Sequence, residues 1–116
     1  IHDIAVAQAE SFNATATLTH VNGSPVLRND PATNAMVREV ATALFGVEQV
    51  GEVKPFMGSE DFAFMLEQHP HGSYFTIGAG DEPDRCMVHN PGYDFNDALL
   101  LTGAALWCGL TERYLR

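Results

Sequence analysis

Apolar residues recur near helical spacing at the start of the chain (Ile1, Ile4, Ala5, Ala9), with Gln8 interrupting the stripe, and predict a short amphipathic helix ending near Ser11. From Asn13 to Val21 the period changes to two. Thr15, Thr17 and Thr19 fall on one face and Ala14, Ala16, Leu18 and His20 on the other, the alternation of a strand with one polar face. Asn22-Gly23-Ser24-Pro25 breaks it. Asn29-Asp30-Pro31 then predicts a helix start, with Asp30 as N-cap and Pro31 at the first helical position, where its missing N–H costs nothing. Met36, Val37, Val40, Ala41, Leu44 and Phe45 give that helix a buried stripe, and Gly46 closes it. A short strand is expected near Val47 to Val53, followed by a turn at Lys54 to Ser59. A helix from about Glu60 to Gln68 follows, with Phe62, Leu66 and, at the margin, Met65 inward, and His69-Pro70-His71-Gly72 stops it. Ser73 to Gly78 is an apolar strand, Ala79 to Phe95 a loop, and Asn96 to Leu115 a closing helix. This alternation predicts an α/β fold. Loops beyond about 12 residues inside a domain are usually functional or disordered. The 79–95 loop carries Gly80, Pro83, Pro91 and Gly92 together with His89, which favours function.

Composition narrows the partners. At 116 residues the chain has one domain's length, and its 46% apolar and 18% charged content is that of folded, water-soluble material. A globular chain of this size buries roughly 65% of its unfolded surface. The net charge of −9 with only six Lys and Arg leaves no basic patch for phosphates, which argues against nucleic acid and against an anionic membrane surface. The apolar runs Phe62 to Leu66 and Ala104 to Cys108 fall far short of the roughly 20 residues a membrane span needs. Two cysteines, Cys86 and Cys108, make no disulfide framework, and no basic-then-apolar signal opens the chain, so a cytoplasmic protein is expected. Ile1 enters an apolar pattern with neither Met nor cap before it, which reads as a chain cut inside a helix.

His89 leads the candidates for chemistry. In a Pro- and Gly-braced loop behind an apolar strand, it is presented as an imidazole to a metal ion or substrate is presented. The plain alternative is a loop histidine bonded to backbone. Asn90-Pro91, Asp94 and Asn96 nearby weaken that alternative, because a ligating imidazole usually donates its second N–H to a carboxylate or carbonyl. Ser59-Glu60-Asp61 opens a helix after Gly58. As a cap, Ser59 is the N-cap and the two acids complement the helix dipole; as a site, Gly58 lets backbone approach a ligand whose carboxylate meets free N–H groups. Both can hold together. Cys86-x-x-His89 is half of a structural zinc site without a second half. Ser59, Asp61 and His89 follow the order of a hydrolase triad, but the serine lacks the Gly-x-Ser-x-Gly elbow. His69 and His71 are read as solvated, and Phe62, Phe64, Phe75 and Trp107 as core.

Met57-Gly-Ser-Glu-Asp-Phe-Ala and Val88-His-Asn-Pro-Gly-Tyr-Asp-Phe, in that order with a strand rich in Phe, Ile and Gly between them, resemble the metal-dependent amidohydrolases that include hippurate hydrolase, N-acyl-amino-acid deacylases and indole-acetyl-amino-acid hydrolases. Asn29-Asp30 resembles the Asn-Asp that follows that family's return from its inserted domain. The resemblance covers essentially the whole chain and about the last third of a family member. It implies an aminoacylase-like metallopeptidase of two domains. Residues 1–23 would be the last helix and strand of a lid that commonly mediates dimerisation, and 24–116 the end of a catalytic domain with a mixed sheet and flanking helices. It further implies that His89 is the last ligand of a centre holding two divalent ions, and that Gly58, Ser59, Glu60 and Asp61 form the loop beside the substrate. That substrate would be an N-acyl amino acid or small peptide. The family's other ligands and its general base have no counterpart in these residues, so the chain alone is expected to be inactive, with no catalytic residue of its own. The competing expectation is a non-catalytic α/β interaction or dimerisation module.

Overall fold

The computed structural model describes residues 1–21, 23–80, 82 and 84–116. Four α-helices carry it: α1 (His2–Glu10), α2 (Pro31–Phe45), α3 (Phe62–Gln68) and α4 (Leu100–Tyr114), with 3-10 turns at Val47–Gln49 and Asp97–Leu99. α2 begins where its sequence says it should. Asp30 leaves the helix in extended conformation and its Oδ2 accepts from the Thr33 N–H at 2.8 Å and from Thr33 Oγ1 at 2.7 Å, with Pro31 in the first turn. At the far end Gly46 takes φ 92°, a conformation that a side chain would resist, and its N–H closes on the Thr42 carbonyl.

Those two bonds hold the Asp30 carboxyl below the ordinary aspartate value of 3.8, the Thr33 backbone N–H first, then its hydroxyl, with His71 adding a weaker attraction against slight desolvation. A depressed folded pKa contributes stability above the ordinary value, and that contribution is lost as pH falls through the depressed one. The Tm difference between wild type and Asp30→Ala, followed by circular dichroism, is therefore expected to be largest at neutral pH and to shrink below about pH 4. A difference that stays constant down to pH 2 would refute the cap.

The core lies between α2 and α4. Leu106 (5% exposed) and Leu110 (7%) face the α2 stripe, which is half-buried throughout except at Leu44, exposed with one face toward α4. Gly109 makes the approach possible, since a Cβ there would stand 2.9 Å from Val40 Cγ1 and 3.1 Å from Leu44 Cδ1. Arg113 on α4 reaches Glu39 on α2 at 3.8 Å, an exposed pair that adds little. Ala63 (2%) and Leu66 (8%) form a second buried point on α3, with Leu66 packed against the backbone at Gly72.

The segment 73–79 hangs between two asparagines. At one end Asn29 Nδ2 donates to the Tyr74 carbonyl at 2.7 Å while its Oδ1 accepts from the Tyr74 N–H at 2.8 Å. At the other, Asn96 Nδ2 donates to the Ala79 carbonyl at 3.0 Å, and Asn96 Oδ1 accepts from Ala98 N–H to cap the turn into α4.

Several expectations change. No strand ladder forms among the described residues: the segments expected as strands at 13–21 and 73–78 have no pairing partner, and Val47–Gln49 winds into a 3-10 turn closed by Gln49 N–H on the Gly46 carbonyl. A strand exists only by virtue of a neighbour. α3 starts two residues later than expected, with Asp61 in the capping position and no side-chain cap, so Ser59 is not the N-cap. Met65 and Phe64 face outward, and Trp107 is 62% exposed, leaning on Phe75 with ring centroids 5.7 Å apart. The break expected at Asn22 and the proline at 83 lie outside the described residues.

The unpaired segments and the exposed large side chains share a cause. The Cα radius of gyration is 20.8 Å and the accessible surface 10069 Å², where a compact chain of this size would show about 13 Å and about 6,200 Å². Large side chains such as Leu101, Phe95 and Trp107 stay in water because these residues offer nothing to bury them.

Candidate functional site

The start of α2 is laced to the segment 71–74. Besides the Asn29 amide on Tyr74, the Asp30 N–H donates to the Gly72 carbonyl at 2.9 Å, Thr33 Oγ1 to the His71 carbonyl at 3.2 Å, and Ser73 Oγ to Asn34 Oδ1 at 3.1 Å. Tyr74 carries the connection onward. Its ring lies 5.8 Å from that of Phe62, and its phenol pKa is raised, by hydrogen bonding toward the Glu60 carboxylate first, then by modest desolvation and by the carboxylate's charge.

Gly58, Ser59, Glu60 and Asp61 thus precede α3 beside a braced segment. Glu60 turns back on its own helix, its Oε1 accepting from the Phe62 N–H at 3.3 Å, while the Glu60 and Asp61 carbonyls take the N–H groups of Ala63 and Phe64. A Cβ at Gly58 would stand 2.7 Å from the ring of Phe56, which is exposed and would have to swing aside. Ser59 and Asp61 are exposed, free to meet a ligand.

His89 stands apart, exposed at the tip of the second loop with φ 67°. A left-handed backbone is uncommon outside glycine, and histidine is among the residues that tolerate it best. Asn90 builds the turn around it: its N–H reaches the Met87 carbonyl at 3.1 Å, its Oδ1 accepts from Gly92 N–H at 2.8 Å, and its carbonyl accepts from Tyr93 N–H at 2.9 Å. Arg85 pairs with Glu82 and reaches the Asp94 carbonyl, closing the base of the loop, and Tyr93 and Phe95 meet edge-on at 5.2 Å. His89 is exposed on a turn braced by Asn90. Cys86, half-buried, sits under Gly92 within the same loop.

Among the described residues no hydrogen bond or ion pair joins the 58–61 loop to the His89 loop, and no three His, Cys, Asp or Glu side chains gather closely enough to hold a metal ion. Among the described residues the donor side chains do not form a metal centre. An open groove of about 560 Å³ runs between α2, α4 and the 75–78 segment, lined by Val37, Arg38, Ala41, Phe75, Ile77 and Leu106. It contains neither His89 nor any residue of 58–61. A shallower hollow of about 370 Å³ lies at the foot of the His89 loop beside Arg85, Cys86 and Asp94. Two bracing residues, Asn29 as a clamp and Tyr74 as its partner, escape sequence reasoning because they stand 45 positions apart. Among the described residues no helix is long and apolar enough to cross a membrane.

Residues 4–113 match the model of peptidase family M20/M25/M40. The chain is similar to YhaA of Bacillus subtilis, named there as a candidate amidohydrolase (34% identity over 97 residues, 83% of this chain and 24% of that protein). It is also similar to IAA-amino acid hydrolase ILR1-like 4 of Arabidopsis thaliana (33% over 93 residues, 78% and 21%) and to the hippurate hydrolase of Campylobacter jejuni (33% over 94 residues, 80% and 24%). The chain spans about a quarter or less of the length of these relatives. No solved structure matches it. A match that runs through α2, the 57–63 motif, the His89 loop and α4 leaves one assignment, and the chain belongs to peptidase family M20/M25/M40.

Proposed function

We propose that these residues are the C-terminal part of a metal-dependent amidohydrolase that cleaves the amide bond of N-acyl amino acids. The observation that carries the proposal is the family match across 4–113, supported by relatives whose names give hippurate and IAA-amino acids as substrates. Within it, His89 supplies one metal ligand, and Gly58, Ser59, Glu60 and Asp61 line the substrate. When bound, a pair of divalent ions would polarise the scissile carbonyl and acidify a water. The chain's own part is to orient. The Asn90 turn fixes the direction of the imidazole, and the exposed Ser59 and Asp61 offer polar contacts beside a backbone freed of a side chain at Gly58. The general base and the other ligands belong to the remainder of the parent chain. The same reading makes the parent a cytoplasmic homodimer, makes residues 1–23 the end of its lid, and gives the 73–78 segment strand neighbours in a mixed sheet. In support, α1 packs on no other helix of the described residues.

The test compares the full-length parent with residues 1–116 alone. The parent is expected to hydrolyse hippurate or an indole-acetyl amino acid, to lose activity to a chelator, and to recover it with zinc or manganese. The short chain should show no turnover and, by calorimetry, no stoichiometric metal site, because one imidazole makes a poor chelate. A parent whose hydrolysis ignores chelation refutes the metal-dependent reading. A sub-micromolar site in the short chain that disappears in His89→Ala refutes the division of labour.

A further inference from the structure

Resting on that reading, we propose that Asn29 is a positioning residue for the substrate-side loop: its amide pairs with the Tyr74 backbone as a neighbouring strand would, and the Tyr74 ring passes that register to Phe62, which directly follows Asp61. The geometry of the amide is specific. Tyr74 presents its N–H and its C=O toward the same side chain, which requires extended backbone at that residue, and an amide is the side chain that offers one donor and one acceptor in a plane. Aspartate could take the N–H but would set a charge against the carbonyl. Alanine would leave both groups open.

Three neighbouring bonds show that the clamp has a fixed footing. Asp30 N–H on the Gly72 carbonyl, Thr33 Oγ1 on the His71 carbonyl and Ser73 Oγ on Asn34 all tie the first turn of α2 to the same four-residue stretch. α2 is in turn packed on α4. The position of the loop is therefore referred back to the best-packed part of the molecule through Asn29. Among the described residues the Ser59 and Asp61 side chains have no hydrogen-bond partner, so their placement depends on what holds the neighbouring Phe62. Asn29 touches neither loop residue and acts only through Tyr74.

The experiment uses the full-length parent with steady-state kinetics on hippurate and hydrogen–deuterium exchange by mass spectrometry. Asn29→Ala is expected to raise KM about tenfold with kcat within about threefold, because the substrate-side loop loses its placement while the reacting groups keep theirs. Exchange should rise in peptides covering 54–61 and 72–78 and stay unchanged across α4. Tyr74→Ala, which keeps the backbone pairing with Asn29 and removes the ring contact with Phe62, should fall between wild type and Asn29→Ala. An unchanged KM, or faster exchange spread evenly to α4, overturns the proposal, the latter by showing that Asn29 merely stabilises the fold. Should the wild-type parent hydrolyse no N-acyl amino acid, the hydrolase reading fails, and the exchange pattern alone still decides for or against the clamp.

Discussion

Replacing His89 by alanine in the full-length parent is expected to lower kcat/KM on an N-acyl amino acid by about a hundredfold or more, with Tm changed by no more than roughly 2 °C. The asymmetry follows from where the residue stands. His89 is exposed at a loop tip, and the hydrogen bonds that build its turn come from Asn90, Met87, Gly92 and Tyr93, so its removal takes nothing from the core. One structural complication needs a control. At φ 67° an alanine is less at ease than histidine, so a loss in His89→Ala could mix a missing imidazole with a rearranged loop. Asparagine tolerates the left-handed region well. His89→Asn should therefore keep the loop shape and lose activity to a similar degree. Full activity in both variants removes the ligand role, whereas activity restored only in the asparagine variant assigns the residue to loop geometry.

For stability the largest single effect is expected at Leu110. Truncating a buried leucine costs about 2–5 kcal/mol, the transfer of its side chain plus the cavity left behind. Leu110 lies at 7% exposure in the seam where Gly109 brings α4 against Val40 and Leu44, and few other buried side chains share the load. In residues 1–116, Leu110→Ala should lower Tm by roughly 8 °C or more. Leu101, on the same helix and almost fully in water, is the control, and Leu101→Ala should stay within about 0.5 kcal/mol of wild type. Equal effects at the two positions would mean that α4 does not pack on α2 as described.

What could be read from the sequence is what neighbouring residues decide among themselves. Asp30, Pro31 and Thr33 settle the start of α2 within four positions, Gly46 settles its end, and the Asn90-Pro91-Gly92 turn settles how His89 is shown. Periodicity fails where a distant partner decides. The alternation at 13–21 and the apolar run at 73–78 are patterns that require a neighbour, and residues 1–116 bring none to them. Trp107 and Phe64 look like core by composition and are exposed, because no described segment packs over them. Ser59 loses the capping position to Asp61 because α3 starts later, a boundary set by the backbone of 60–64 and not by residue type alone. Asn29 has a recognisable place beside the cap, but nothing local in the sequence tells that its amide is occupied by Tyr74.

The α2–α4 seam also sets the order in which the protein can become safe from its own surface. Val40 and Gly109 are separated by about seventy residues, which at roughly 5–20 residues per second take on the order of several seconds to synthesise. Until α4 is made, the apolar stripe of α2 has no α4 to cover it. The Asp30 cap favours the first turn of α2 but does nothing to cover Val40. A chain that ends between α3 and α4 is accordingly expected to expose Val40 to water and to aggregate more readily than one that runs past Leu110.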